Sequence, residues 1–250
     1  MSVARSLLVC AAWLVLLSPV AAADSVPRIA IIIDDLGYQY DYGVRAINLP
    51  GPVSFAVLPA TPNGRALALT AHQHGKDVLL HLPFESVDRE NVDEPGAITL
   101  DMGRNAFHEA FASALESVPH AIGVSNHRGS LLTRHPGHMG WLMEEISAHD
   151  GMFFVDSYTT HHSVAMQIAA EQGVATTRRH IFLDNDRSAA AIHREFARLI
   201  ERAKRDGLAI AIGHPYPETL EVLELELAQL DARKFRLIPV SQAVNFVEPD

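Results

Sequence analysis

The sequence predicts an α/β fold, a single domain in which short strands alternate with helices around a parallel sheet or barrel. Three observations carry that expectation. Apolar runs of strand length recur along the chain with amphipathic stretches between them. Glycines stand where several of those helices should end. And the strand-like runs stop, one after another, in acids, histidines or asparagine.

The runs are 28–33, 53–57, 78–82, 121–124, 152–155, 180–183, 208–212 and 235–240. The first, from Arg28 to "III", is rich in branched aliphatics and reads as a fully buried strand. Between runs, Ile192, Phe196, Leu199, Ile200 and Ala203 share one face of a helix expected over 188–206. Leu220, Leu223, Leu227 and Leu230 do the same over 218–230, where a core-facing stripe is expected. Gly75, Gly151 and Gly207 fall at helix ends, where a residue free to take a left-handed conformation belongs. The one long irregular stretch, 86–98, is acidic, carries Pro95 and is expected to be a loop able to cover a site.

The first 23 residues read as a signal peptide rather than as part of the fold. Arg5 supplies a positive start, 6–17 is apolar, and Ala21–Ala23 match a small-residue cleavage pattern. The apolar run is short for a membrane span, so cleavage after Ala23 and an exported, periplasmic chain covering 24–250 are expected, without stable membrane insertion. Cys10, the only cysteine, lies in this segment behind Val9, which disfavours lipidation, so no disulfide is expected. The net charge of −10, with no basic patch interleaved with aromatics, argues against nucleic acid as a partner.

The strand ends carry the chemistry. In order they offer Asp34 and Asp35, His81 and then Glu85, Asn126–His127–Arg128, Asp156, Asp184 with Asn185, and His214. In a parallel barrel these ends share one rim, where such folds build active sites. Solvated loops would mix in lysine; none appears. Asp and His are donors for zinc or a similar divalent cation, and a cation's charge answers why two carboxylates stand side by side. One can ligate while its neighbour accepts a proton from an attacking water.

Three stretches resemble motifs of a known family. "IDDLGY", "HGKDVLLHLPFE" and "AIAIGHP" are similar to the first, second and last motifs of the polysaccharide deacetylase superfamily, carbohydrate esterase family four, and most of all to its divergent YibQ-type branch. The likeness runs from Arg28 to about Phe246. It implies a distorted (β/α) barrel of about seven parallel strands, with Asp34 as catalytic base, Asp35 and His81 as metal ligands and His214 as acid. The family's second histidine is replaced by Glu85. Either Glu85 or His127 completes the ligand set, and His127, ending the adjacent strand, is preferred; Glu85 is then an outer partner or a loop acid. "SNHRGS" falls where the family has an arginine-proline-aromatic motif. Asn126 and Asp184 are expected to support the site, Asp156 to orient His214 or bind a sugar hydroxyl, and Arg128 to clamp a substrate carbonyl or carboxylate, or to be a surface charge. The implied activity is metal-dependent deacetylation of an N-acetylated cell-envelope glycan. The alternative is an inactive glycan-binding or scaffolding protein on the same barrel. A phosphoester hydrolase is disfavoured, because no lysine or arginine cluster is visible at the rim.

Overall fold

A computed structural model describes residues 26–88 and 93–244. The signal-peptide expectation therefore lies outside the described residues. Arg28–Leu36 forms β1, and Tyr40–Ile47 forms α1. Then follow β2 (Ser54–Val57), α2 (Gly64–Gln73), β3 (Val78–Phe84), α3 (Arg104–Ser117), β4 (Ala121–Arg128), α4 (Pro136–Ser147), β5 (Phe153–Asp156) and α5 (Ala165–Glu171). The chain ends with β6 (Thr176–Arg178), β7 (Ile181–Phe182), α6 (Ala189–Asp206), β8 (Leu208–Gly213), α7 (Pro217–Leu227), β9 (Arg236–Leu237) and α8 (Val240–Ala243).

All pairings are parallel, in the order β6-β5-β4-β3-β2-β1-β8-β7, with β9 beside β1. The sheet curls until its two edges are a dipeptide apart. Arg179 N–H still donates to Asp156 O on the β5 side, and His180 N–H already donates to Ile210 O on β8. β6 and β7 are thus successive pieces of one run that bridges both edges. Counted as one, they give the seven-membered distorted barrel that the resemblance implies, with β9 as a short addition.

Each central strand buries both faces, as a strand does when helices cover its outside. On β1, Ile29, Ile31 and Ile33 pack under the helix layer, while Ala30 and Ile32 join Leu79, Phe153, Val155 and Ile210 inside the curl. α8 closes the lower mouth: Val240 and Ala243 reach the inner cluster, and Val240 N–H donates to Ser54 Oγ at the start of β2. Amphipathic α6 ends on Gly207, whose φ of 77° and N–H to Ala203 O make the left-handed cap.

Several boundaries differ from expectation. β6, "TTR", has no aliphatic signature and was not foreseen. The run expected over 235–240 pairs only at Arg236–Leu237, because from Ile32 onward that side of β1 is occupied by β2, and Pro239 turns the chain into α8. β1, β3 and β4 run further than their apolar stretches, carrying Asp34, Asp35, Asn126, His127 and Arg128 on the strands themselves.

Gly123 marks a tight place inside the curl. A Cβ there would stand 2.7 Å from Phe153 Cε2 and 2.8 Å from Leu79 Cδ2. Gly123→Ala should destabilise the fold by about 1–3 kcal/mol through overpacking, read as a lowered denaturation midpoint. An unchanged midpoint would mean that the inner cluster is loosely filled.

Candidate active site

Strand alternation explains Asp34 and fails for Asp35, and the failure makes the site. Asp34 follows Ala30 and Ile32 by steps of two, so it points inward and is buried. Asp35 should then point outward. Instead the register against β2 slips between Ile33 and Leu36, and Asp35 takes a left-handed φ of 59°. Such a bulge re-aims a side chain. Both carboxylates now meet one imidazole: His81 Nε2 lies 3.4 Å from Asp34 Oδ2 and 3.2 Å from Asp35 Oδ1.

His81 and His127 come from adjacent strands by the same stepping rule. His81 follows Leu79 inward on β3, opposite Ser125 on β4, and its Nδ1 lies 2.8 Å from Ser125 Oγ. That bond fixes the ring and leaves Nε2 facing the carboxylates. His127 is two residues beyond Ser125. Its Nδ1 is 2.9 Å from Asp35 Oδ1, and its Nε2 is 3.3 Å from Glu94 Oε2. His214 follows Ile212 inward on β8 and brings Nε2 to 3.6 Å from Asp35 Oδ2. Behind it, Asp184 Oδ1 is 2.9 Å from His214 Nδ1, while Oδ2 accepts from His214 N–H (2.6 Å) and Thr219 Oγ1 (2.8 Å).

The environments push the two carboxyls apart. Burial dominates at Asp34 and raises its pKa, although His81 and His214 pull the other way. Burial also opposes ionisation of Asp35, but His127 and His81 outweigh it and hold that carboxyl well below the usual range. His127 is raised: burial disfavours its charge, and the Asp35 contact more than compensates. At His214, burial is likewise outweighed by Asp184 and then by Asp35 and Asp34, which lift it to about 9. Divergent carboxyls beside a protonated imidazole are the usual equipment of acid–base chemistry.

Asp35, His81 and His127 each offer a donor atom, and all three atoms lie within 4.8 Å of one another. Asp34 Oδ1 is buried without a hydrogen-bond partner. Two anionic groups, an orphaned carboxylate oxygen and an Asp–His–His donor set fit a divalent cation. The cluster opens on a cavity of about 320 Å³ whose walls include Asn126, Arg128, Ser157, Arg179 and His214.

The other candidate residues separate. Glu85 is buried, but its Oε2 accepts Leu100 N–H at 2.7 Å and its main chain holds Ile98 and Leu132, so it ties down the covering loop and stands outside the donor set. Asp156 turns away from His214: Tyr158 N–H and Ser163 Oγ donate to its two oxygens, and the orienting role is held by Asp184. Asn126 bridges Ser157 N–H and Arg128 O. Arg128, with a left-handed φ of 56°, lies 3.9 Å from Glu94 and lines the cavity. The rim is also more cationic than the sequence suggests, because Arg179 joins Arg128 there. Glu94, Ser125, Ser157, Thr219 and Arg179 were not foreseen as site residues. Only Ser125 had a legible signal, two residues before His127 on the same strand.

Comparison with known proteins decides the family. The model described as divergent polysaccharide deacetylase matches residues 31–244. The chain belongs to that family. It is 36% identical over 246 residues to the uncharacterised Escherichia coli protein YibQ, covering 98% of this chain and 75% of YibQ. An uncharacterised Agrobacterium tumefaciens structure shares the fold at a TM-score of 0.83, with 20% identity over 89% of this chain and 91% of that one. A family 4 carbohydrate esterase from Streptomyces lividans, solved with acetate, aligns at 0.55, with 12% identity over 90% and 98%. A Bacillus anthracis pseudoenzyme of the same esterase family aligns almost as well, at 0.54, with 10% identity over 88% and 66%. Likeness to this fold therefore does not decide turnover; the residues must.

Two expectations follow for the site. Ser125→Ala frees His81 and should weaken zinc binding by about 10- to 100-fold, and His127→Ala should weaken it more, whereas Glu85→Ala should leave it closer to wild type; calorimetric titration of zinc into stripped protein measures all three. The opposite ranking of His127 and Glu85 would make Glu85 the third ligand. In stripped protein, the raised pKa of His214 means that its protonation stabilises the fold fully below about 6.5 and that this contribution is lost as pH rises through about 9. The melting-temperature gap between wild type and His214→Gln should therefore narrow from pH 6 to pH 10, and a gap that widens would contradict the assignment.

Proposed function

We propose that the protein is an exported, metal-dependent hydrolase that deacetylates an N-acetylated polysaccharide or oligosaccharide of the cell envelope. The observation that carries this reading is the convergence of Asp34, the Asp35–His81–His127 donor set and the Asp184-held His214 on one cavity. Export rests on the character of residues 1–23, and the family supplies the polysaccharide. Among the described residues no helix is long and apolar enough to cross a membrane.

A divalent cation held by Asp35, His81 and His127, zinc by the character of these donors, would polarise the acyl carbonyl and offset the negative charge that develops on its oxygen. Asp34 is placed to take a proton from the attacking water. Its burial disfavours the ionised form, and positive charge beside it restores the base. His214, lifted to about 9, carries a proton at neutral pH and is aimed by Asp184, so it can donate to the departing amine. The inner wall of Ile212 and Phe182 limits water around these groups.

Asp34→Asn and His214→Ala should each lower the rate of acetate release from acetylated chito-oligosaccharides by about 100- to 10,000-fold, with zinc content and circular dichroism unchanged. If wild type and both variants release equally little while still binding glycan, the scaffolding reading replaces this one. If wild type is active and the variants are unimpaired, the catalytic roles lie on other residues.

A further inference from the structure

The catalytic cavity shares part of its wall with a neighbour. Arg179, Phe182 and Asn185 also line a second cavity of about 450 Å³ that runs along α6 and adds Arg194 and Arg198. In a chain with net charge −10 this recess runs against the general balance. Of its two acids, one is paired with an arginine and the other, Asp186, is bound to main chain and feels Arg194 without contacting it, so three arginines face two carboxylates. Glu195 pairs with Arg198 at 2.9 Å, and Asp186 Oδ1 accepts Ser188 N–H at 2.9 Å. Among the described residues, Arg179 and Arg194 have no carboxylate within ion-pair distance.

Arg179 is the better defined of the two. Its Nε donates to Ser157 O at 2.7 Å, its Nη2 donates to Tyr158 O at 2.9 Å, and its guanidinium carbon lies 4.9 Å from the centre of the Phe182 ring. The guanidinium is therefore fixed in place, and about three of its five N–H donors remain for a ligand. Burial draws its pKa below the ordinary value, with Asp34 and Asp156 offsetting only part of that cost. A fixed, partly desolvated cation with no carboxylate in direct contact favours an anion that can make one. That anion cannot sit in the catalytic pocket, where Asp34 and Asp35 would repel it.

We propose that the second cavity binds a carboxylate carried by a sugar adjoining the one that is deacetylated, received by Arg179 and Arg194. The proposal rests on the glycan-deacetylase reading and narrows its substrate to acidic glycans. The carboxylate's plane and two acceptors match a guanidinium fork. The shared wall places the acidic sugar beside the reacting one, and the recess is of a size that holds small ligands.

The test uses chitotriose, the same trisaccharide with C6 of one terminal sugar oxidised to a carboxylate, and the methyl ester of that acid. Zinc-loaded mature protein is measured for kcat/KM and for calorimetric affinity with each. The acid should be preferred over both neutral forms by about 10- to 100-fold, the scale of a charged hydrogen-bonded contact, and added salt should reduce the preference. In Arg179→Gln and in Arg194→Ala the preference should shrink toward one. Arg194 is exposed on α6, so its replacement still tests the idea if the Arg179 variant misfolds. Equal turnover of all three glycans overturns the anion site and leaves the deacetylase reading intact. Arginine-dependent binding of the acid without turnover of any glycan keeps the site and removes the deacetylase. A preference that survives both substitutions assigns the anion to other residues and overturns the proposal.

Discussion

Asp34 and Asp35 stand on consecutive residues, Asp34 is almost wholly out of water, and like charges at such separations repel. A fold that keeps them together needs compensating positive charge within a few ångströms. His127 and His214, both held protonated more readily than a free imidazole, face Asp35 and supply that charge, while the His81 ring stands between the two carboxylates. The opposite pKa directions of the two acids follow from this asymmetry, since Asp35 has several close positive neighbours and Asp34 mostly has burial. The same imbalance separates their uses. The acid that stays charged suits a ligand; the one whose charge depends on its surroundings suits a proton acceptor.

The rest of the architecture makes this juxtaposition rigid. His81, His127 and His214 each occupy an inward position two residues beyond an inner-facing residue of their strand, so the register of β3, β4 and β8 fixes their spacing. Asp35 breaks that rule through the bulge, and the strain of a left-handed aspartate is accepted where two carboxylates must share a face. Behind the imidazoles stand groups that do no chemistry themselves. Ser125 sets the ring of His81, Glu94 meets the far nitrogen of His127, and Asp184 fixes both main chain and ring of His214.

This division also explains what could be read from the chain before its fold. Asp34, Asp35, His81, His127 and His214 were legible as candidates because each lies at or near the end of an apolar run, and a polar residue at the end of a buried parallel strand falls on the rim. Ser125 gave a signal of position alone, two residues before His127 on β4, since a serine on a strand is chemically ordinary. Glu94 lies on a loop whose path no periodicity reports. Arg179 sits in the two-residue step between β6 and β7, a closure created by curling the whole sheet, so its nearness to Asp34 is purely tertiary. Glu85 and Asp156 stand outside the donor cluster for a related reason. Each is an acid at the right position along a strand, but local N–H and hydroxyl donors satisfied it before the site could use it.

Asp156 and Asp184 show how such a distinction arises. Both are buried acids, Asp156 ending β5 and Asp184 two residues beyond β7, and each accepts hydrogen bonds on both oxygens. The oxygens of Asp156 are taken by Tyr158 and Ser163, seven residues away at most, so its charge organises one turn. Those of Asp184 are taken by His214 and Thr219, across β8 and on α7, so its charge couples three elements and reaches the reacting face through one imidazole. Burial is nearly the same in the two cases. Whether a buried carboxylate joins such a cluster depends on how far its hydrogen bonds reach, and in this barrel the long-range one is built behind His214.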